Sequence, residues 1–103
     1  MNIVILVTAA NNKEAGKIAA ALIKDKLAAC VNIIENIHSL FRWQGKVDHA
    51  KETLLIIKSR KALEHKLIKK VKSLHSYEVP EIIALPIISG DKKYLEWLNE
   101  STS

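Results

Sequence analysis

The spacing of apolar residues changes character along the first third of the chain. Residues 2–8 form a nearly continuous run of Ile, Val and Leu, which is typical of a central strand buried on both faces. Apolar side chains then recur at helical spacing over residues 12–27, which predicts an amphipathic helix. Asn11 and Glu14 precede this stretch with the spacing of a capping box. The chain is therefore expected to open with a strand and a helix.

Two long strands are predicted next, over residues 29–43 and 47–58, on either side of a turn that contains Gly45. About 14 residues at ~3.3 Å each extend to roughly 45 Å, whereas a 100-residue domain has a radius of gyration of about 13 Å. The hairpin must extend beyond its own domain and expose apolar side chains. We therefore expect the chain to self-associate. The apolar residues concerned are Ile37, Leu40, Phe41, Trp43 and Val47.

The second half of the chain repeats the helix and strand pattern. Ser59 is placed to cap a second helix that ends near His75. Residues 82–88 form a fourth apolar run, in which Pro86 favours an edge strand. A short helix is predicted over residues 91–99.

The order β-α-β-β-α-β-α consists of two β-α-β units that share one hairpin. It predicts an α+β fold of the ferredoxin-like type, with an extended hairpin and an added C-terminal helix. A single domain is expected over 1–103, and residues 100–103 are expected to fray. No apolar run approaches the ~20 residues of a membrane span, and the first residues lack a basic leader, so we expect a cytoplasmic protein without a membrane partner.

The net charge of +5 comes from one segment, because residues 60–72 contain six basic residues and one acidic residue. A solvated helix face explains this segment. The whole chain contains only two arginines, the residues that dominate direct reading of bases, so no nucleic-acid partner is expected.

Residues 75–82, His-Ser-Tyr-Glu-Val-Pro-Glu-Ile, combine an imidazole, a phenol and two carboxylates around Pro80, which rigidifies the segment. His75 is either a metal ligand or a histidine hydrogen-bonded to a carbonyl group. Glu78 and Glu81 resemble an acid-base pair, but the sequence offers no partnered nucleophile. We therefore expect no catalytic residues and no enzyme activity.

Other polar residues allow several interpretations. Lys58 ends an apolar strand and could hold an anion or pair with a glutamate. Cys30 is expected to be a small buried hydrophobe, with a metal role as the alternative. The remaining histidines show no regular ligand spacing and are expected at the surface, where they would bind metal only adventitiously. They are His38, His49 and His65.

Several motifs carry a likeness to a known family. They are LAACVN at 27–32, S-x-F-x-W-x-G at 39–45, ETLLIIK at 52–58, HSYEVPEI at 75–82 and Y-x-x-W-L at 94–98. Through these motifs the chain resembles the CutA divalent-ion tolerance family over essentially its whole length.

The resemblance implies a ferredoxin-like protomer in a tight homotrimer with interlocking hairpins, similar to the trimer of PII-type signalling proteins. It also implies an association with copper and other divalent cations, without an established reaction. The family's shared polar residues would line clefts between subunits. They map to Lys58, His75, Tyr77, Glu78 and Glu81.

The chain departs from the family pattern at four positions. Ser76 replaces the proline of the usual His-Pro-Tyr, and Phe41 replaces a tyrosine. Val7 and Leu74 stand where some members place a cysteine and a second histidine. The loss of these soft ligands weakens copper binding at such a site.

Three functional hypotheses follow. The first is a cytoplasmic homotrimer that binds copper or another divalent cation weakly, through His75 with Glu78 or Glu81. The second is a PII-like sensor that binds a small anion through Lys58, and the third is a non-catalytic anchoring trimer. None of them requires a tightly bound cofactor.

Overall fold

A computed structural model describes residues 1–103 and contains the predicted elements in the predicted order. The elements are β1 (Asn2–Ala9), α1 (Asn12–Lys24), β2 (Cys30–Trp43), β3 (Lys46–Arg60), a 3₁₀ turn (Lys61–Leu63), α2 (Glu64–Leu74), β4 (Ile82–Pro86) and α3 (Lys92–Ser101). The strands form one antiparallel sheet in the order β2-β3-β1-β4, so the predicted α+β ferredoxin-like fold is confirmed.

Strand β1 lies between β3 and β4, as its apolar run predicts. Only alternate side chains of β1 are fully buried, because α1 and α2 cover one face of the sheet. Val4 and Leu6 point to the other face and are partly exposed. The prediction that β1 is buried on both faces is therefore wrong for the single chain. The core residues are Ile3, Ile5, Val7, Ala9, Ala15, Ile18, Ala19, Leu22, Leu27, Ala28, Leu55, Ile57, Leu67 and Val71.

The first helix starts at the predicted cap and ends early. The Asn11 side chain accepts a hydrogen bond from the Glu14 N–H at 2.8 Å. Helix α1 ends at Lys24, three residues before the predicted end, because the chain turns sharply with Lys26 at a φ of 57°. Asn11 therefore fixes the beginning of the helix, whereas the turn at Lys26 fixes its end.

Ser59 does not cap the second helix. It lies within β3, its side chain is fully buried, and its hydroxyl donates to the Leu27 carbonyl at 2.6 Å. Helix α2 begins instead from the 3₁₀ turn and has no side-chain cap. The prediction failed because β3 continues through Ser59 to Arg60 and the 3₁₀ turn follows, so Ser59 is five residues from the first residue of α2.

The C-terminal elements also differ from prediction at their ends. Strand β4 is an edge strand, as Pro86 predicts, but it ends at that residue, after which only the Ile87 N–H donates to the Asn2 carbonyl of β1 at 3.0 Å. Helix α3 extends to Ser101, and the Arg60 guanidinium donates to the Thr102 hydroxyl at 2.8 Å and to its carbonyl at 2.5 Å. The expected fraying of residues 100–103 is therefore wrong, since Thr102 is buried.

The β2-β3 hairpin extends beyond the domain. Its turn residues Gln44 and Gly45 have φ values of 51° and 78°, which is the backbone of a tight type I′ turn. The molecule measures 44 × 25 × 23 Å, and residues 40–49 are all exposed. The predicted overshoot is confirmed.

A β-bulge in β2 changes which side chains share a face. Ile34 pairs with Leu54 and Ile37 pairs with Glu52, so β2 has one more residue than β3 at this point. Asn36 within the bulge has a φ of 57°, which asparagine tolerates better than most residues. Because of the extra residue, odd-numbered side chains beyond the bulge lie on the same face as even-numbered ones before it.

The face of the sheet opposite α1 and α2 is only partly covered; we call it the open face. Helix α3 packs over one end of it, where Asn2 donates to Asn99 at 2.9 Å and the Tyr94 hydroxyl reaches Cys30. The rest presents apolar side chains, such as Ile83, which is 50% exposed. The register places on this face Val4, Leu6, Ile34, Leu54, Ile56, Ile83 and Leu85. No helix of the protein is long and apolar enough to cross a membrane.

Candidate functional site

A cleft of about 850 Å³ lies between the hairpin and the segment that follows α2. We call residues 75–81 the lip. One wall comes from the hairpin, with Phe41 and Trp43 among its residues, and the other wall includes Tyr77 and Glu78 of the lip. Phe41 and Trp43 alternate along β2 and so share a face, and the bulge makes this face the open face of the sheet.

His75 anchors the lip to the end of β1. Its Nδ1 accepts a hydrogen bond from the Tyr77 N–H at 3.0 Å, and its Nε2 lies 2.7 Å from the Thr8 carbonyl oxygen. Because an amide N–H can only donate, Nδ1 is unprotonated and Nε2 carries the proton that it donates to Thr8. The side chain has no exposed surface. Of the two predicted roles, the structure shows the histidine that is bonded to a carbonyl group.

Glu14 ties the lip to the start of α1. Its carboxylate accepts hydrogen bonds from the Ala10 N–H at 2.8 Å and from the Ser76 N–H at 2.7 Å. Burial raises the pKa of Glu14, but hydrogen bonds from Ser76 and Ala10 and the nearby His75 outweigh it and lower this pKa below its usual value. The carboxylate that begins α1 therefore also fixes the position of the lip.

Tyr77 connects the lip to β3. Its hydroxyl donates to the Glu52 carboxylate at 2.8 Å, and Glu52 is only 8% exposed. Burial, the hydrogen bond to Glu52 and the negative charges of Glu52 and Glu14 raise the pKa of Tyr77 to about 12. The Tyr77 hydroxyl therefore keeps its proton and donates a hydrogen bond to the nearly buried carboxylate of Glu52.

The cleft has a negative lining. Glu78 and Glu81 are exposed and make no side-chain hydrogen bond, and Asp48 and Glu52 contribute two further carboxylates. No lysine or arginine is among the 12 residues that line the cleft, although the chain carries a net charge of +5. Carboxylates in a concave site focus the field and favour cations over anions.

Lys58 lies away from this cleft. Its ammonium donates to the Asn32 side chain and lies 3.9 Å from the Cys30 sulfur, on the open face. Lys58 is six residues from Glu52 along β3, which is about 20 Å at the rise of a strand. Its partner is thus an amide and not a glutamate. Cys30 is half-buried beside it.

The predicted site residues therefore separate into three locations. Tyr77, Glu78 and Glu81 line the cleft together. The His75 side chain is buried against the end of β1, and Lys58 lies on the open face. No group of three or more His, Cys, Asp or Glu side chains is arranged to hold a metal ion. Within one protomer, the residues present do not fit a tight metal site.

Two acids that shape the site were not predicted as site residues. Glu14 was interpreted only as a capping residue, and its bond to Ser76 joins positions 62 residues apart. Glu52 lies at the point where β3 leaves the core, and only the fold brings it to Tyr77. The available signal was the single acid at the head of the otherwise apolar run ETLLIIK.

Comparison with known proteins identifies the family. A model of the CutA1 divalent ion tolerance protein matches residues 3–101. The chain belongs to this family. It is 47% identical over 102 residues to the divalent-cation tolerance protein CutA of Thermus thermophilus, covering 99% of both chains. It is 50% identical over 101 residues to the chloroplastic CutA of Arabidopsis thaliana and 55% identical over 102 residues to that of rice. The chain spans 56% and 57% of these two chloroplastic relatives.

Solved CutA1 structures share the fold throughout. The structure of the divalent cation tolerance protein from Thermus thermophilus superposes with a TM-score of 0.98 at 47% identity, and each chain is covered completely. CutA1 from Oryza sativa gives a TM-score of 0.96 at 50% identity and covers 99% of this chain and 94% of its own. The extended hairpin and the added C-terminal helix are therefore features of CutA1 proteins.

Proposed function

We propose that the chain acts as a homotrimer in divalent-cation tolerance and holds cations weakly in the carboxylate-lined cleft. The observation that carries this proposal is the lining itself, which has four carboxylates and no lysine or arginine. Membership of a divalent ion tolerance family supports the same ligand class. Carboxylates without a soft ligand bind divalent cations with little preference for copper.

The open face supports the trimer. Apolar side chains of the sheet continue beyond the bulge onto the same face of the hairpin, where Trp43 is 56% exposed. Apolar surface of this extent and the unpaired backbone of two edge strands favour association with further copies. In such a trimer the cleft beside the hairpin lies next to a neighbouring subunit, which can complete the coordination of a cation.

A direct role for His75 is the competing version of this proposal. To bind a metal through Nδ1, the imidazole must give up the hydrogen bond from Tyr77 and become exposed. A variant that removes the ring would then abolish metal binding. In the cleft version, the removal of the two exposed carboxylates Glu78 and Glu81 has this effect instead.

Calorimetric titration of Cu(II), Zn(II) and Mg(II) distinguishes these versions. We expect Glu78→Gln/Glu81→Gln to weaken Mg(II) binding, and the component of Cu(II) and Zn(II) binding that belongs to the cleft, about tenfold or more, since carboxylate charge supplies the attraction. The matched control Glu96→Gln/Glu100→Gln removes two exposed carboxylates of α3 and should leave binding unchanged. Selective loss of Cu(II) and Zn(II) binding in His75→Ala, with the double glutamine variant unaffected, would contradict the cleft proposal.

The same samples test the assembly. Sedimentation equilibrium should give about three times the chain mass of 11.5 kDa. A trimer that binds no cation in any titration would instead support the anchoring function.

An anion sensor would show thermal stabilisation by nucleotides or carboxylates that is lost in Lys58→Gln, because a bound ligand stabilises the native state. Cytoplasmic location remains part of the proposal and is tested by fractionation of the native host.

A further inference from the structure

Two histidines that are far apart in sequence meet on the hairpin. Strand pairing places His38 opposite Lys51 and Leu40 opposite His49, so the two histidines are diagonal neighbours on the same face. Their ring centroids are 5.6 Å apart and their planes are inclined at 83°. The face is opposite to the one that carries Phe41, which belongs to the wall of the cleft.

The separation of the rings matches what a shared metal ion requires. A histidine nitrogen binds zinc at about 2.0–2.1 Å, and a ring centroid lies about 1 Å further, so two rings on one tetrahedral or trigonal ion have centroids about 5–5.5 Å apart. The observed 5.6 Å is reached without any change in backbone. Both side chains are exposed, so rotation about their side-chain bonds can direct one nitrogen of each ring to a shared ion.

Both rings are available as ligands, which His75 is not. No hydrogen bond of the protein involves a ring nitrogen of His38 or His49, and neither residue is buried. His75, by contrast, uses both of its ring nitrogens within the fold. The hairpin therefore carries two neighbouring imidazoles whose ring nitrogens make no hydrogen bond within the chain and are available to one metal ion.

We propose that His38 and His49 form a two-histidine site for a borderline divalent ion, of the class of Cu(II), Ni(II) and Zn(II). Imidazole nitrogen suits these ions better than it suits Mg(II) or Ca(II). Water fills the remaining positions, and the positive charges of Arg42 and Lys51 on the same face weaken the attraction. The site is therefore weak and readily exchanged. His38 also borders the cleft, but the two-histidine site would exist even if the cleft bound no cation.

The fold supplies the affinity that two separate imidazoles lack. Because β2 and β3 hold the rings together, binding of the second histidine is intramolecular once the first has bound. Such pre-arrangement raises overall affinity by a factor on the order of 10² or more over a single ligand. The sequence spacing of 11 residues between His38 and His49 gives no hint of this, since only the register of the hairpin defines the pair.

Titration of Ni(II) into the full chain tests the site. We expect His38→Gln and His49→Gln each to weaken binding on the order of 10²-fold. The double variant should also lose the weak binding that the one remaining imidazole of each single variant provides. His65→Gln, which removes the exposed histidine of α2, is the matched control and should leave binding unchanged.

Several outcomes would overturn the proposal. They are unchanged binding in both single variants, equal loss in His65→Gln, or loss in only one of the two single variants, which would indicate separate surface histidines. Far-ultraviolet circular dichroism and sedimentation of each variant establish that the hairpin and the assembly are intact. Glu78→Gln/Glu81→Gln should retain the Ni(II) site, so failure of the cleft proposal and failure of the histidine site are distinguishable.

Discussion

His75 and Tyr77 are two residues apart in the lip, yet the fold gives them different tasks. Both ring nitrogens of His75 are hydrogen-bonded to backbone groups, one to Thr8 and one to Tyr77, so His75 positions the lip. The Tyr77 hydroxyl faces the cleft and donates to Glu52. Sequence inspection could identify both as special residues, but it could not decide between ligand and anchor, because that depends on which acceptors lie within about 3 Å.

The ionisation of Tyr77 is directly testable because the chain has only two tyrosines. In Tyr94→Phe, phenolate absorbance reports Tyr77 alone, and we expect a pKa of about 12 instead of the ordinary value of 10.0. Since the folded state keeps this proton when the unfolded chain loses it, the contribution to stability is complete below pH 10 and is lost between about 10 and 12. The same titration in denaturant should return to the ordinary value. A folded-state midpoint near 10 would contradict the hydrogen bond to Glu52.

At the scale of single elements, the bulge in β2 has the largest consequence. It lets the strand leave the core while the apolar residues of the hairpin remain on the open face. Without it, Phe41 and Trp43 would point to the opposite face, because a shift of one residue inverts the pattern of a strand. Asn36 was the available sequence signal, since asparagine is among the few residues that tolerate a positive φ.

Substitution of Asn36 tests this role. Asn36→Val places a β-branched residue at a φ of 57°, and we expect it to lower the free energy of unfolding by about 1–2 kcal/mol. Asn36→Gly is the matched control and should be close to neutral, because glycine adopts this conformation without a steric penalty. Denaturant unfolding measures both. Equal stabilities for the valine and glycine variants would show that the bulge does not depend on this backbone conformation.

At the scale of the whole molecule, opposite charges and apolar surface occupy separate regions. The basic residues of α2 face solvent while Leu67 and Val71 face the core, as the sequence predicts for a solvated helix face. The carboxylates collect at the cleft instead. The open face carries the apolar surface on which copies of the chain are proposed to associate, and on the hairpin it adjoins the cleft through Phe41, Trp43 and Glu52.

Paired substitutions test the open face. Ile83→Glu introduces a charge on this face, and Ile88→Glu introduces the same charge in a loop residue that is 93% exposed. We expect the Ile83 variant to dissociate at micromolar concentration, because an unpaired buried charge costs several kcal/mol in an interface. The Ile88 variant should retain the wild-type mass. Sedimentation velocity measures both, and an Ile83 variant of unchanged mass would place the interface elsewhere.

The order of the elements, the central position of β1 and the overlong hairpin could all be predicted from the amino-acid sequence, because they depend on the local periodicity of apolar residues and on strand length. The sequence motifs also pointed to the family. The fold was needed to show that His75 is hydrogen-bonded to Thr8, that Lys58 lies far from the glutamates and that His38 lies beside His49. These facts depend on contacts between distant positions and on the register set by one bulge, and neither is encoded in the spacing of neighbouring residues.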